Sequence, residues 1–363
     1  MILLILCSGA LIDLKYFVDK GIENNKFMLK KKANSISGFQ GEYPYFYILP
    51  TPYLEIASDF QGEKEYTISI PVMEPSIFLF LPINGVNKDL RAKSLKYGVY
   101  SLKKELTFIF YEYLYYYKLC SIQDSILEIS REILRLEENE YKSGRIEYEE
   151  FLKAREDIIE EQYNLVHLKS ELRRSGFIIK EILKDTSDFI PVDTFSLITL
   201  EYDSIIGNLI KEINDIKKKK MEMYKINSIL SLLPSIRYVL SSNFETTVKG
   251  FEIQASIDIS RIINNINYLN TRKRFVDIER KYTEYENRIS IEKNRYLRNA
   301  FTDNKNKHQE ILSFYEELYK KCEEDYKMGK ISYYKVMKMH YRLLEMRKRM
   351  LEAEYSLIKE AMR

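Results

Sequence analysis

Apolar residues recur along this chain in two rhythms, and the switches between them outline its elements. From Ile262 to Met328 there is neither glycine nor proline, and from Asn87 to Ser143 the only such residue is Gly98. After Gly329 no breaker occurs before Arg363. Such runs predict helices, the longest able to extend about 100 Å at 1.5 Å per residue. On the arms that follow Gly144 and Gly329, apolar residues fall every seventh position. They are Phe151, Ile158, Leu165 and Leu172 on the first arm, and Val336, Leu343, Met350 and Leu357 on the second. Met339, Met346 and Ala353 fill the alternate positions of the second arm. A helix so long buries its stripe only against another helix, so the pattern predicts two antiparallel coiled-coil hairpins turning at Gly144 and Gly329. A methionine-rich stripe at this spacing reads as packing, not as a cofactor box.

The second rhythm has a period of two. Segments 53–60, 66–72, 236–244 and 251–260 alternate apolar with small or polar residues and predict four strands, joined in pairs by turns at 61–64 and 246–250. In the last segment Glu252, Gln254 and Asp258 share one face while the other is apolar. One apolar and one polar face suit a transmembrane β-barrel, with lipid outside and water inside. Four strands cannot enclose a channel, so that reading requires several chains. A small sheet backed by the chain's own helices is the alternative.

The two halves repeat one plan. Glu140-Tyr141-Lys142-Ser143-Gly144-Arg145-Ile146 matches Asp325-Tyr326-Lys327-Met328-Gly329-Lys330-Ile331 at an offset of 185. The same offset places Ile68, Ile70 and Val72 on Ile253, Ala255 and Ile257, and carries the heptad line of the first arm onto the second. The chain therefore reads as a tandem duplication.

Composition narrows the classes. Charged residues are 31% of the chain, hydrophobic ones 45%, and the net charge is +3, which argues against disorder and against a polytopic helical membrane protein. Twelve glycines and eight prolines are few for 363 residues and favour long uninterrupted elements. The run Lys217 to Lys220 follows Glu212 and Asp215 and reads as a solvated helix face, not a nucleic-acid contact. Cys7, Cys120 and Cys322 lie far apart, and His167, His308 and His340 have no ligand spacing, so neither a disulfide framework nor a metal site is expected. No phosphate loop, nucleophile elbow or His/Cys pair appears, and no catalytic residue or cofactor is expected. The acidic pairs Glu137-Glu138 and Glu160-Glu161 read as surface charge. Segment 1–12 resembles the apolar region of a secretory signal without the preceding basic residues, and Cys7 within it is a candidate lipid acceptor although Leu6 fits poorly. No apolar run reaches the length of a membrane-spanning helix.

Taken in order, these features resemble the TolC-type outer-membrane efflux proteins. The likeness runs from about Leu11 to Arg363. It is carried by the opening helix from Asp13 to the pair Asn24-Asn25, by Leu233-Pro234-Ser235-Ile236 and Gly250-Phe251-Glu252-Ile253-Gln254 at strand starts, and by the tips Tyr141-Lys142-Ser143-Gly144 and Tyr326-Lys327-Met328-Gly329. The resemblance implies a mainly α protein with a small β part. Residues 13–187 and 188–363 would be two repeats of strands and long hairpins behind the signal-like segment. It implies a homotrimer whose strands form one barrel in outer-membrane lipid and whose helices form a tunnel in the periplasm. A periplasmic adaptor of the membrane-fusion type and an inner-membrane transporter would be its partners, in efflux or type I secretion. Gly144, Arg145, Gly329 and Lys330 would meet the adaptor. Lys335 and Lys338, with Glu150 and Lys153 at the equivalent places of the first repeat, would line the constriction. The chain is shorter than typical members, and the stretch 73–85 is more apolar than their pattern. A coiled-coil scaffold without a channel is the rival reading, and it leaves the strands without purpose.

Overall fold

The computed structural model describes residues 10–37, 53–58, 64–73, 80–196, 198–230, 235–242, 247–254 and 259–362. Segment 1–9, with Cys7, lies outside them. The helices are α1 (Leu14–Asn24), α2 (Lys26–Ser37), α3 (Phe80–Lys142), α4 (Tyr148–Leu183), α5 (Ile198–Leu230), α6 (Ile259–Lys327) and α7 (Tyr333–Met362). The strands are β1 (Ala10–Ile12), β2 (Tyr53–Ser58), β3 (Lys64–Met73), β4 (Phe189–Pro191), β5 (Ser235–Ser242) and β6 (Thr247–Gln254). The mainly helical architecture with four longer strands is the one the two rhythms predict. The chain divides into two compact units. One comprises residues 1–26, 100–204 and 289–363, the other 27–99 and 205–288.

The first unit is a helical bundle. Asp13 caps α1 by accepting from the Tyr16 amide at 2.6 Å, and Asn25 closes the helix where the asparagine pair predicts an end. Gly21 lies so close to α3 that a Cβ there would stand 2.7 Å from Leu106, which explains a glycine inside a short helix. The core joins α1, α3, α4 and α7 through Phe17, Phe110, Tyr111, Leu114, Ile179 and Ile358, all fully buried. Its phenols are satisfied: Tyr111 shares a bond of 2.7 Å with Ser196, and Tyr113 donates to the Phe189 carbonyl at 2.5 Å. The short parallel pair of β1 with β4 closes this unit, with Ile12 buried, so the last residues of the signal-like segment belong to the fold.

On α7 the line buried throughout is Met337, Leu344, Leu351 and Ile358, one residue round from the expected Val336, Leu343, Met350 and Leu357, of which Met350 and Leu357 are only partly buried. Val336 and Leu343 are buried as well. The helix touches α3, α4 and α6, so it buries a wide stripe, not the narrow seam of a two-stranded coil. On α4 Ile158 and Leu165 are buried as expected, and Phe151 instead stacks on Tyr141.

The second unit holds the sheet. Its strand order is β2-β3-β5-β6, every pair antiparallel. Register is continuous from Tyr53↔Ser69 through Ile68↔Leu240 to Ile236↔Ile253, with one shift between Pro71 and Met73. Two boundaries need correcting. Residues 247–250 belong to β6, not to a turn, and Ile259 and Ser260, expected to end the last strand, begin α6. Apolar residues at Ile257 and Ile259 fit a strand or an entering helix equally well, so their period could not decide. Helix α3 starts at Phe80, before the expected Asn87, and tolerates Pro82 in its first turn, where the amide has no helical partner. The helices here are held in antiparallel register by ion pairs: Lys93 with Glu212 at 2.6 Å, Lys218 with Asp277 at 2.9 Å and Lys273 with Glu222 at 2.8 Å.

Candidate functional site

The two hairpin tips are built alike. At the first, the Gly144 amide donates to the Tyr141 carbonyl and the Arg145 amide to Glu140, both at 2.9 Å. At the second, Gly329 donates to Tyr326 and Lys330 to Asp325, both at 2.8 Å. This paired bonding is a Schellman helix end, which needs a left-handed residue just past the helix. Gly144 has φ 70° and Gly329 φ 71°. Where such ends usually carry an apolar contact, both tips carry a charge pair, Arg145 with Glu140 at 3.2 Å and Lys330 with Asp325 at 3.6 Å. Tyrosine rings close each turn, Tyr141 on Tyr148 at 5.7 Å and Tyr326 on Tyr333 at 5.5 Å, with the same 45° tilt. All four expected tip residues therefore sit on exposed turns, and a Cβ on either glycine would meet nothing within 4 Å.

The expected constriction residues are only partly brought together. Lys335 is exposed near the start of α7, and Glu150 and Lys153 are exposed on α4. Lys338 is engaged: its ammonium stands 3.6 Å from Glu137 on α3 and 4.3 Å from the Tyr334 ring centroid.

Behind these residues lies a clasp that the sequence reading missed. Tyr334 donates to Glu137 at 2.5 Å. Tyr341 donates to Glu161 of α4 at 3.0 Å, the Gln123 amide donates to the same carboxylate, and Lys348 donates to the Gln123 side-chain oxygen at 3.1 Å. Tyr355 stacks on Tyr115 with centroids 4.1 Å apart. Burial, the bond to Glu137 and the negative charges of Glu137 and Glu150 push the Tyr334 phenol well up, and burial with Glu161 does the same for Tyr341. Both therefore stay protonated donors. Glu137 and Glu161, read from sequence as surface charge, are thus acceptors facing a neighbouring helix, while Glu138 does pair on the surface with Lys142. The missed signal is visible afterwards: Tyr334, Tyr341, Lys348 and Tyr355 repeat every seven residues beside the apolar line.

Elsewhere, burial pushes the Cys120 thiol up to about 11, as befits a packed, unreactive cysteine. Among the described residues no group of acidic, histidine and cysteine side chains is placed to hold a metal, and no helix is long and apolar enough to cross a membrane.

No protein-family model matches the sequence, and no curated protein does. Solved structures do, and the fold they share with this chain is that of outer-membrane channel proteins. CusC, described in terms of transmembrane channel formation, superposes over 98% of this chain and 92% of its own with TM-score 0.71 and 13% identity. The Campylobacter jejuni CmeC outer membrane channel covers 95% of this chain and 83% of its own, at TM-score 0.61 and 13% identity. The Vibrio cholerae outer membrane protein VceC covers 96% and 95%, at TM-score 0.60 and 10% identity. The TolC-like architecture expected from the order of motifs is the architecture found.

Proposed function

We propose that this chain is one protomer of a homotrimeric outer-membrane export duct, passive in itself and loaded by an energised inner-membrane transporter through a periplasmic adaptor. The observation that carries the reading is the sheet. Among the described residues β2 and β6 are paired on one side only. Unpaired edge groups are costly in lipid, so a sheet spanning a bilayer must close. Four strands alternate in direction, so β6 of one copy meets β2 of the next antiparallel, and a ring of copies closes without a mismatch. Exposed apolar residues at Phe275, Ile278, Tyr282 and Tyr285 on α6 recur at heptad spacing, as a contact between copies requires. The tips, with Gly144, Arg145, Gly329 and Lys330 on exposed turns, are the adaptor contact. Lys335, Lys338, Glu150 and Lys153 line the mouth, where the engagement of Lys338 with Glu137 leaves Lys335 as the uncompensated cation of that pair.

Conductance of the purified protein in a planar bilayer, measured with its native mass, tests the reading. A steady conductance from a species of three chains supports it. A soluble species that leaves the bilayer silent refutes it and favours the scaffold.

A further inference from the structure

The two hairpins can be compared residue by residue, counting from their tips. Helices α3 and α6 both end two residues before the tip glycine, and α4 and α7 both begin four residues after it, so the count has no slack. Fifteen residues past the glycines stand Ile159 on α4 and Leu344 on α7, and fifteen before them Ile129 on α3 and Phe314 on α6. Leu344 packs with Ile126 and Ile129 in one buried cluster that joins α7 to α3. The counterparts Ile159, Ile311 and Phe314 are as apolar, yet they lie exposed at 62%, 40% and 56%. The same holds along α4, where exposed Leu152 and Val166 answer to Met337 and Leu351, both buried on α7. The opposite side of α4 is already occupied, with Ile158 and Leu165 packed on Leu127 of α3. The exposed line is therefore a second apolar face, and such a face marks a contact. What covers its counterpart on α7 is α3, and the counterpart of α3 is α6.

The rim of the cluster points to the same pairing. Within the chain Ile122 and Tyr341 edge it. Their counterparts are Lys307 on α6 and Glu156 on α4, opposite charges that are exposed and unpaired among the described residues. Lys348 bonds the Gln123 side chain at 3.1 Å, and the counterparts Tyr163 and His308 are again able to donate and accept. The residue changes on α4 thus match those on α6, as complementary surfaces require. The match has limits. Leu119 and Ile358 answer to Asn304 and Arg173, which makes the second seam wetter. Near the mouth, Tyr334 and Glu137 answer to Glu149 and Cys322, so the phenol–carboxylate bond there has no duplicate.

We propose that α4 of one copy lies on α6 of the next as α7 lies on α3 within the chain, with Ile159 seated against Ile311 and Phe314 and Glu156 paired with Lys307. The inference rests on the homotrimer proposed above. It is tested by treating a chain carrying Ile159→Cys, Phe314→Cys and Cys322→Ser with a short bis-maleimide, after its native mass has been measured. Covalent species of two and three chains should appear on a denaturing gel, and neither single-cysteine variant should give them. Phe177→Cys with Phe314→Cys checks the register. Phe177 is as exposed as Ile159 but stands about 27 Å farther along α4, so this pair should not link. A species of three chains that stays unlinked through Ile159, or that links equally through Phe177 or through a single cysteine, overturns the seam and leaves the duct standing. A wild type that is monomeric by native mass overturns both.

Discussion

Tyr334→Phe removes one hydroxyl and nothing else, and the geometry fixes the consequence. Tyr334 is the donor that fastens the start of α7 to Glu137 on α3, whose side chain is only 14% exposed. A hydrogen bond to a charged acceptor is worth about 1.5–3 kcal/mol, and an acceptor left with poor access to water keeps most of that cost. The remaining partner, Lys338, is 3.6 Å away with its side chain 51% exposed, so its ion pair contributes at most about 1 kcal/mol after screening. Loss of the phenol should therefore weaken the seating of α7 by about 1.5 kcal/mol, roughly tenfold in its opening equilibrium. Hydrogen exchange of the first α7 turns, measured where opening is fast and reversible, reads that equilibrium directly. Tyr334→Phe should speed exchange near Val336 and Met337 about tenfold, and Lys338→Met should do so less. Equal protection in the phenylalanine variant, or a larger effect from the lysine, would show that charge, not the phenol, holds the helix.

The tip glycines invite an experiment in sign. Gly144→Ala and Gly329→Ala should each lower stability by about 1 kcal/mol, because φ near +70° is unfavourable for a side chain even where space is free. Gly85→Ala, in α3 with equally open surroundings, should raise it by about as much, and thermal melts that moved all three the same way would refute the backbone argument. Replacing Lys335 and Lys338 by Asp should shift bilayer reversal potentials toward cations, with most of the shift from Lys335, and identical potentials would remove both from the mouth. His340 packs on Tyr319 at 4.7 Å and faces Arg347 and Glu323. Burial first, then Arg347, hold its imidazole below the ordinary 6.5. The unfolded chain then takes up the proton first, so the α6–α7 hairpin should lose stability as pH falls through that value, and His340→Gln should flatten the dependence of the melting temperature on pH.

How far the sequence reaches depends on the range of the interaction. Tips and rods were legible because each rests on local chemistry: a glycine at a left-handed helix end, and long stretches without a breaker. The likeness of the two tips was legible because they match in sequence at one offset, and they share hydrogen bonds, charge pairs and ring tilt in the structure as well. The strand–helix boundary near Ile257 was not, since a short apolar run suits either period. Nor was the pairing of β1 with β4, where three residues find partners far along the chain and offer no pattern to read. The clasp fell between these cases. Its α7 side has a heptad line of Tyr334, Tyr341, Lys348 and Tyr355, but its acceptors Glu137 and Glu161 look like any exposed acid until a neighbouring helix faces them.

The fold is shared with solved structures at 10–13% identity because few of its positions demand a particular residue. If the chain is the duct proposed above, none of its positions has to supply a particular reactive atom. Closure requires an even number of strands that leave complementary edges, a condition met by any sequence with the right alternation. Bundle packing requires volume and period, which Leu, Ile and Met supply interchangeably at a cost of under about 1.5 kcal/mol. Sequence is constrained most where backbone conformation admits few residues, as at Gly144 and Gly329, and where a polar group faces another helix, as at Tyr334 with Glu137. Those positions are where substitution should be felt first.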